Sequence, residues 1–321
     1  MKNAPHTPST LQEAIIYFAD VQVNHDFLTQ LRWPNGVTCP RCECDDTSYI
    51  STRRIWKCKG CKRQFSVKVG TIFEDSPLGL DKWLPALWML ANCKNGISSY
   101  ELSRALGVTQ KTAWFMLSRI RLAMQTKSFT RLDGEVEIDE TFIGGRAKFM
   151  HKAKKDRVIT GTGGSGKTAV MGMLQRKRGA KGHSKVKAAV VPNVRRGHLD
   201  ARVRESVKPG AAVYTDALPS YNKLHDAYAH EVINHAERYV DGRVHTNGLE
   251  NFWSLLKRSV KGTYVSVDPF HLFRYLDEQT FRFNERGKTD AERFLNVASD
   301  IIGKRLTYKA LIGADMPPAT T

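Results

Sequence analysis

The sequence predicts a multidomain chain of mixed α+β and α/β character, and three observations lead there. Two C-x2-C pairs stand fifteen residues apart early in the chain. Apolar residues recur at helical spacing from Asp75 to about Lys127. A large mixed segment from about Asp133 to Asn296 then carries β-like runs such as Glu135-Val-Glu-Ile-Asp139 and Ala211-Ala-Val-Tyr-Thr-Asp216. The 321 residues suffice for one large domain with one or two small ones.

Residues 9–31 read as a pair of amphipathic helices, with Leu11, Ile15, Ile16 and Phe18, then Phe27 and Leu31, on the apolar side. Trp33-Pro-Asn-Gly36 supplies the turn that ends them. In Cys39-Pro-Arg-Cys42 and Cys58-Lys-Gly-Cys61, two intervening residues let both sulfurs of a tight turn reach one ion. Two such turns complete a tetrahedral S4 site for Zn²⁺, with Tyr49, Ile50, Ile55 and Trp56 between them as strand residues of a zinc ribbon. Protein fills all four positions, so the zinc is structural, and so short a segment depends on it to fold. Cys44 is read as a spare thiol and Cys93 as a core residue of a helix.

The stretch from Gly96 to Ile120 has the punctuation of a helix-turn-helix. Ser98 or Ser99 caps a first helix containing Leu102, Ala105 and Leu106, and Gly107 makes the turn. Thr109 caps a second helix with Ala113, Leu117 and Ile120 inward. Gln110, Lys111 and Trp114 then face a DNA groove or backbone. An ordinary helical hairpin shares this pattern.

The charge balance favours a polyanionic partner. Fifty Lys and Arg against 32 Asp and Glu give a net +18. Eighteen of those cations, against three acids, fall between Gly145 and Gly210. The longest apolar run, Trp83 to Leu90, is too short to span a bilayer, and MKNAPHTPST lacks the apolar core of a signal peptide. The six cysteines therefore read as thiols of a reducing cytoplasm.

Against that basic background, three acids stand out. Asp139 and Asp216 each end a β-like run, and Glu250 lies on a helix whose Leu249, Phe252, Trp253 and Leu256 form a buried stripe. Such a set can hold two Mg²⁺ ions about 4 Å apart, which activate an attacking oxygen and stabilise a leaving one. Three clustered carboxylates also repel unless a cation joins them. Lys257 lies two turns beyond Glu250 on the same face. Glu140 is left out, because strand alternation sends it to the face opposite Asp139.

A competing motif is GTGGSGKT at 161–168, which fits the P-loop pattern. A working P-loop needs a helix opening at Gly166-Lys-Thr168. The following Lys167 to Gln175 is apolar almost throughout with Gly172 at its middle, and reads better as a strand paired with Ser184 to Val191. No bound nucleotide is expected, and Lys167 is left as a candidate DNA contact.

Together these residues resemble the bacterial insertion-sequence transposases of the DDE class that carry an N-terminal zinc ribbon, the ISXO2-like group. The resemblance runs from about Trp33 to Asn284. It rests on the two cysteine pairs, Gln64-Phe65, Gly70-Thr-Ile-Phe73, Glu137-Ile-Asp-Glu-Thr-Phe-Ile-Gly-Gly145, Tyr214-Thr-Asp216, Asn234-His235, His245-Thr-Asn247, Glu250-Asn-Phe-Trp253, Leu256-Lys-Arg258, Arg274-Tyr-Leu-Asp-Glu-Gln279 and Arg282-Phe-Asn284. It implies an RNase H-like catalytic domain, a mixed sheet flanked by helices, in which Asp139, Asp216 and Glu250 bind two Mg²⁺ or Mn²⁺ ions. Lys257 and Arg258 would lie on DNA phosphate. Some relatives use Asn in the third role, and Asn247 stands one turn before Glu250 as the alternative; Glu250 is preferred for its charge and its spacing to Lys257.

The implied organisation is a helical segment (1–36), zinc ribbon (37–70), helix-turn-helix region (71–128), catalytic domain (129–300) and C-terminal tail (301–321). The implied partners are the double-stranded DNA of element ends and target and a second copy of the chain on DNA, with no membrane. The implied location is the bacterial cytoplasm, at the nucleoid. A non-catalytic DNA-binding regulator and a P-loop NTPase acting on nucleic acid are the alternatives.

Overall fold

The computed structural model describes residues 6–125, 130–145, 152, 159, 165–177, 179, 182–216, 218–233 and 244–314. Most of the basic stretch at 146–164, half of GTGGSGKT, and Asn234-His235 lie outside them. The chain divides into two units, Met1–Gln125 with Lys288–Thr321, and Thr126–Gly287. No helix among the described residues is long and apolar enough to cross a membrane.

In the first unit, α1 (Leu11–Tyr17) and α2 (Val21–Arg32) start where Thr10 and Asp20 accept amide hydrogen bonds from the first turns. The buried face differs from the expected one. Ala14, Phe18, Phe27 and Leu28 are buried, whereas Leu11, Ile15 and Ile16 are exposed. The reason is aromatic packing: Phe18 and Phe27 both meet Phe294 of the helix Asp290–Ser299, which rotates the rest of α1 outward.

Next come β1 (Thr47–Ile50), β2 (Ile55–Cys58) and β3 (Gln64–Ser66), an antiparallel sheet in that order with Trp56 buried and stacked on Phe65. Three helices follow, α3 (Leu80–Asn92), α4 (Ser99–Leu106) and α5 (Gln110–Met124). Ser98 and Glu101 form a capping box at α4, and Gly107 ends it at φ +63°, a left-handed position that glycine occupies without strain. Thr109 caps α5, which buries Ala113, Leu117 and Ile120. Ala105 is exposed, and Cys93 is a half-buried residue closing α3 rather than part of its core. The segment 288–314 joins this unit: Arg119, itself buried, donates to the carbonyls of Ile72, Glu74 and Leu306.

The second unit is built on a five-stranded sheet. Its elements are β4 (Glu135–Ile143), β5 (Thr168–Gln175), β6 (Lys185–Val191), α6 (Arg196–Ser206), β7 (Ala212–Asp216), β8 (Ala229–Ile233), α7 (Asn247–Arg258) and α8 (Leu272–Asn284). The strand order is β6-β5-β4-β7-β8; β4, β5 and β6 are antiparallel neighbours, and β7 and β8 run parallel to β4. Alternation splits β4 between two cores. Val136 and Ile138 pack with Leu199 and Val203 of α6, while Ile143 packs with Leu249, Phe252, Trp253 and Leu256 of α7. The sheet is thus covered by helices on both faces. Residues after Gly166-Lys167 enter β5 and pair with β6, as expected, so the helix a P-loop requires is replaced by a strand.

Candidate active site and zinc centre

The ribbon brings its four cysteines together. Cys39, Cys42, Cys58 and Cys61 have all their sulfurs within 4.8 Å of one another. Cys39 and Cys61 Sγ are 3.7 Å apart, and Cys42 and Cys58 Sγ 3.5 Å. A tetrahedron of 2.3 Å Zn–S bonds has edges of about 3.8 Å, so the set fits zinc. The Cys61 amide donates to Cys58 Sγ and, against the cost of burial, holds that thiol down at about 6, close to the thiolate a metal takes. Cys44 stays outside the quartet, with its sulfur toward the Asp46 carbonyl.

The predicted acids come from three separate elements of the second unit. Asp139 lies on β4, Asp216 ends the parallel neighbour β7, and Glu250 sits in the first turn of α7. Burial raises the Asp139 carboxyl to about 6; the Trp253 indole pulls it down, and the charges of Asp216 and Glu250 push it up. The three carboxylates therefore share one electrostatic neighbourhood. Their oxygens do not close to the 4.8 Å mutual spacing that only the cysteine quartet reaches among the described residues.

Each acid is held. Asp139 Oδ2 accepts from Trp253 Nε1 at 2.9 Å and its Oδ1 from the Glu140 amide at 2.8 Å. Asp216 Oδ1 accepts from the Leu218 amide at 3.2 Å. Glu250 and Asn247 are exposed on α7, and only Glu250 brings a charge that Asp139 feels.

Glu140, left out on the strength of strand alternation, is a buried acid next to Asp139. Its carboxyl is pushed up to about 8 by burial and then by the charges of Asp216 and Asp139, and its Oε1 is buried without a hydrogen-bond partner. Alternation puts Glu140 on the face opposite Asp139, and both lie at the middle of β4, which continues to Ile143 instead of ending at Asp139 as the sequence suggests. The motif Ile138-Asp-Glu140 contained that signal.

Two further residues escaped sequence reasoning. Glu137 is buried on β4, and its Oε2 accepts from the Leu249 amide at 3.1 Å, capping α7, whose own Thr246 provides no side-chain cap. Its Oε1 accepts from Arg176 Nε at 2.8 Å, and Arg176 in turn donates to the His245 carbonyl at 2.8 Å. The strand that carries Asp139 thereby fixes the start of the helix that carries Glu250. Gly172, paired with Asp139 across β4 and β5, is the second. A Cβ there would sit 2.6 Å from Trp253 Cζ2 and 2.9 Å from Leu249 Cδ2. Gly172→Ala is expected to push Trp253 off Asp139 and destabilise the protein by about 1–3 kcal/mol, read as a lower denaturant midpoint. An unchanged midpoint would show that α7 can retreat freely.

The predicted DNA-facing side chains are less free than expected. Gln110 Nε2 donates to Ser99 Oγ at 2.7 Å, the Lys111 ammonium lies over the Tyr308 ring at 5.0 Å, and Trp114 is half-buried. Arg258 is exposed at the end of α7, whereas Lys167 and Lys257 line one pocket.

Comparison with known proteins agrees with this arrangement. Residues 131–284 match the ISXO2-like transposase domain, and residues 22–64 match the transposase zinc-ribbon domain. An uncharacterized protein in transposable element ISH50 of Halobacterium salinarum is 31% identical over 288 residues, spanning 85% of this chain and 95% of that protein. An uncharacterized transposase-like protein of Haemophilus influenzae is 38% identical over 101 residues, 31% of this chain and 81% of its own length. With a cysteine quartet shaped for zinc, a matching transposase domain and a relative alike over most of its length, the chain belongs to the ISXO2-like transposases.

Proposed function

We propose that this transposase binds the terminal inverted repeats of its insertion sequence and cuts and rejoins DNA at Asp139, Asp216 and Glu250. The observation that carries this reading is the electrostatic meeting of three acids from β4, β7 and α7, with Asp139 raised to about 6. Mg²⁺ or Mn²⁺ bound there would supply an activated water and stabilise the leaving oxygen. Asp139 is oriented for that task by Trp253 and the Glu140 amide, and Glu250 by the capping of α7 at Glu137. The second unit is read as an RNase H-like domain, proposed from the sequence to extend over 129–300. The 37–70 ribbon and the α4–α5 pair within 71–128 are the DNA-recognition modules. Water as first nucleophile leaves a 3′-OH, which then attacks target DNA, so neither step uses ATP. Two ends require two active sites, hence at least a dimer on DNA.

The test incubates the protein with duplexes carrying the element's ends and Mg²⁺, without nucleotide. Cleavage by wild type and none by Asp139→Asn is the expected result. Binding without cleavage in wild type favours a regulator, and a strict ATP requirement would overturn the proposal in favour of an NTPase.

A further inference from the structure

The second unit holds a pocket of about 300 Å³ that the steps above do not use. Three lysines line it: Lys167 immediately before β5, Lys257 in the last turn of α7, and Lys261 in the π-helical turn Ser259–Tyr264 that extends α7. Much of the remaining wall is apolar, with Phe142 of β4, Val260 and Val265 prominent. Phe142 is 39% exposed and Val265 is 78% exposed. Val265 also holds φ +62° and ψ −52°, the centre of a strained γ-turn closed by the Ser266 amide on the Tyr264 carbonyl, a backbone conformation that clusters at ligand sites.

Two demands follow from these walls. Three ammonium groups around one cavity repel each other unless an anion joins them. A small inorganic anion would leave the apolar wall unused, so the ligand carries both a phosphate and a flat, apolar-faced ring. The position narrows it further. Phe142 lies three residues beyond Asp139, about 10 Å along a strand. Lys257 lies seven residues beyond Glu250, about 10 Å along a helix. At a rise of about 3.4 Å per nucleotide, the pocket stands within roughly three nucleotides of the carboxylates. A free nucleoside triphosphate fits less well, because Lys167 leads into a strand and no helix N-terminus opens behind it toward the phosphates.

We propose that this pocket receives a single nucleotide of the DNA strand held at the carboxylates. Its base is turned out of the stack against Phe142 and Val265, and its phosphate lies among Lys167, Lys257 and Lys261. The inference rests on the reading of Asp139, Asp216 and Glu250 as the cleavage site. Lys261, Phe142 and Val265 then become substrate-binding residues, and GTGGSGKT contributes its lysine to DNA rather than to a nucleotide cofactor.

The experiment uses the full chain and duplexes copying the DNA that flanks its coding region, with 2-aminopurine placed singly at each position around the cut. Ca²⁺ replaces Mg²⁺ during the fluorescence measurement, and Mg²⁺ is added for cleavage. A severalfold rise in fluorescence at one position is expected on binding. It should be lost in Phe142→Ala and Lys261→Ala and retained in Lys261→Arg. Lys261 is exposed, so its variants keep the test valid if Phe142→Ala melts early. Cleavage without a rise at any position, or a rise that survives both alanine variants, overturns the pocket alone. No cleavage by wild type, or cleavage unchanged in Asp139→Asn, overturns the underlying site and the pocket with it.

Discussion

Asp139→Asn is expected to abolish cleavage while gaining stability on the metal-free wild type as pH rises to neutral. The opposite signs have one cause. The Asp139 carboxyl is raised from 3.8 to about 6 by burial and by the charges of Asp216 and Glu250, so its ionised form is disfavoured in the fold. The unfolded chain ionises it near its ordinary value. The folded state therefore binds more protons between pH 4 and 6, and stability falls as pH rises through that window. Above it, the penalty is on the order of 3 kcal/mol. Asparagine lacks the charge, but its Nδ2 cannot accept, so it keeps only one of the two hydrogen bonds from Trp253 Nε1 and the Glu140 amide. The variant should melt below wild type near pH 4, where it lacks one of those hydrogen bonds, and gain on it by several degrees as pH rises to 7. Glu140, raised to about 8 in part by the Asp139 charge, adds a slope of the same sign in wild type and a smaller one in the variant. Loss of a negative ligand should cost cleavage on the order of a thousand-fold. Mg²⁺ should raise the melting temperature of wild type more than that of the variant. A variant that cuts normally, or whose stability relative to wild type does not depend on pH, would refute the role given to Asp139.

Much of this site was legible because its chemistry is local in sequence. C-x2-C spacing fixes the sulfurs of a turn, and the quartet closes with edges of 3.5 and 3.7 Å. The stripe Leu249, Phe252, Trp253 and Leu256 is one face of one helix, and all four are buried. Capping signals at Ser98, Gly107 and Thr109 likewise act within a turn. What could not be read depends on partners far along the chain. Leu11, Ile15 and Ile16 look like a core face until Phe294 fixes the rotation of α1. Gly172 looks like a poor helix residue until Trp253, 81 positions on, takes the space where its side chain would be. Alternation assigns Asp139 and Glu140 to opposite faces of β4, but it does not show that Glu140 is buried and feels the charges of Asp216 and Asp139.

Glu137 is the hardest of these to see in the sequence, and its removal should be among the most damaging changes to the second unit. An acid two residues from Asp139 invites a catalytic reading, yet its side chain is 2% exposed and committed to protein partners. Glu137→Ala would leave the Leu249 amide without its acceptor and the Arg176 guanidinium, 14% exposed, without the carboxylate at 2.8 Å. Breaking a buried ion pair from one side costs about 3–5 kcal/mol when the remaining charge is stranded; here Glu135 stays 3.7 Å from Arg176, so the cost lies toward the lower end. Glu137→Gln keeps an acceptor for the amide and loses only the charge, so it should cost roughly 1–2 kcal/mol. Arg176→Met combined with Glu137→Ala should recover part of the loss, since no charge is then stranded. Denaturant midpoints measure all three. The functional consequence follows from the same contacts: α7 freed at its first turn no longer holds Glu250 to the strand of Asp139. Cleavage should therefore fall in Glu137→Ala even at temperatures where the protein remains folded, and return in large part in Glu137→Gln. A Glu137→Ala protein within about 1 kcal/mol of wild type and fully active would mean that α7 is positioned by its apolar stripe alone.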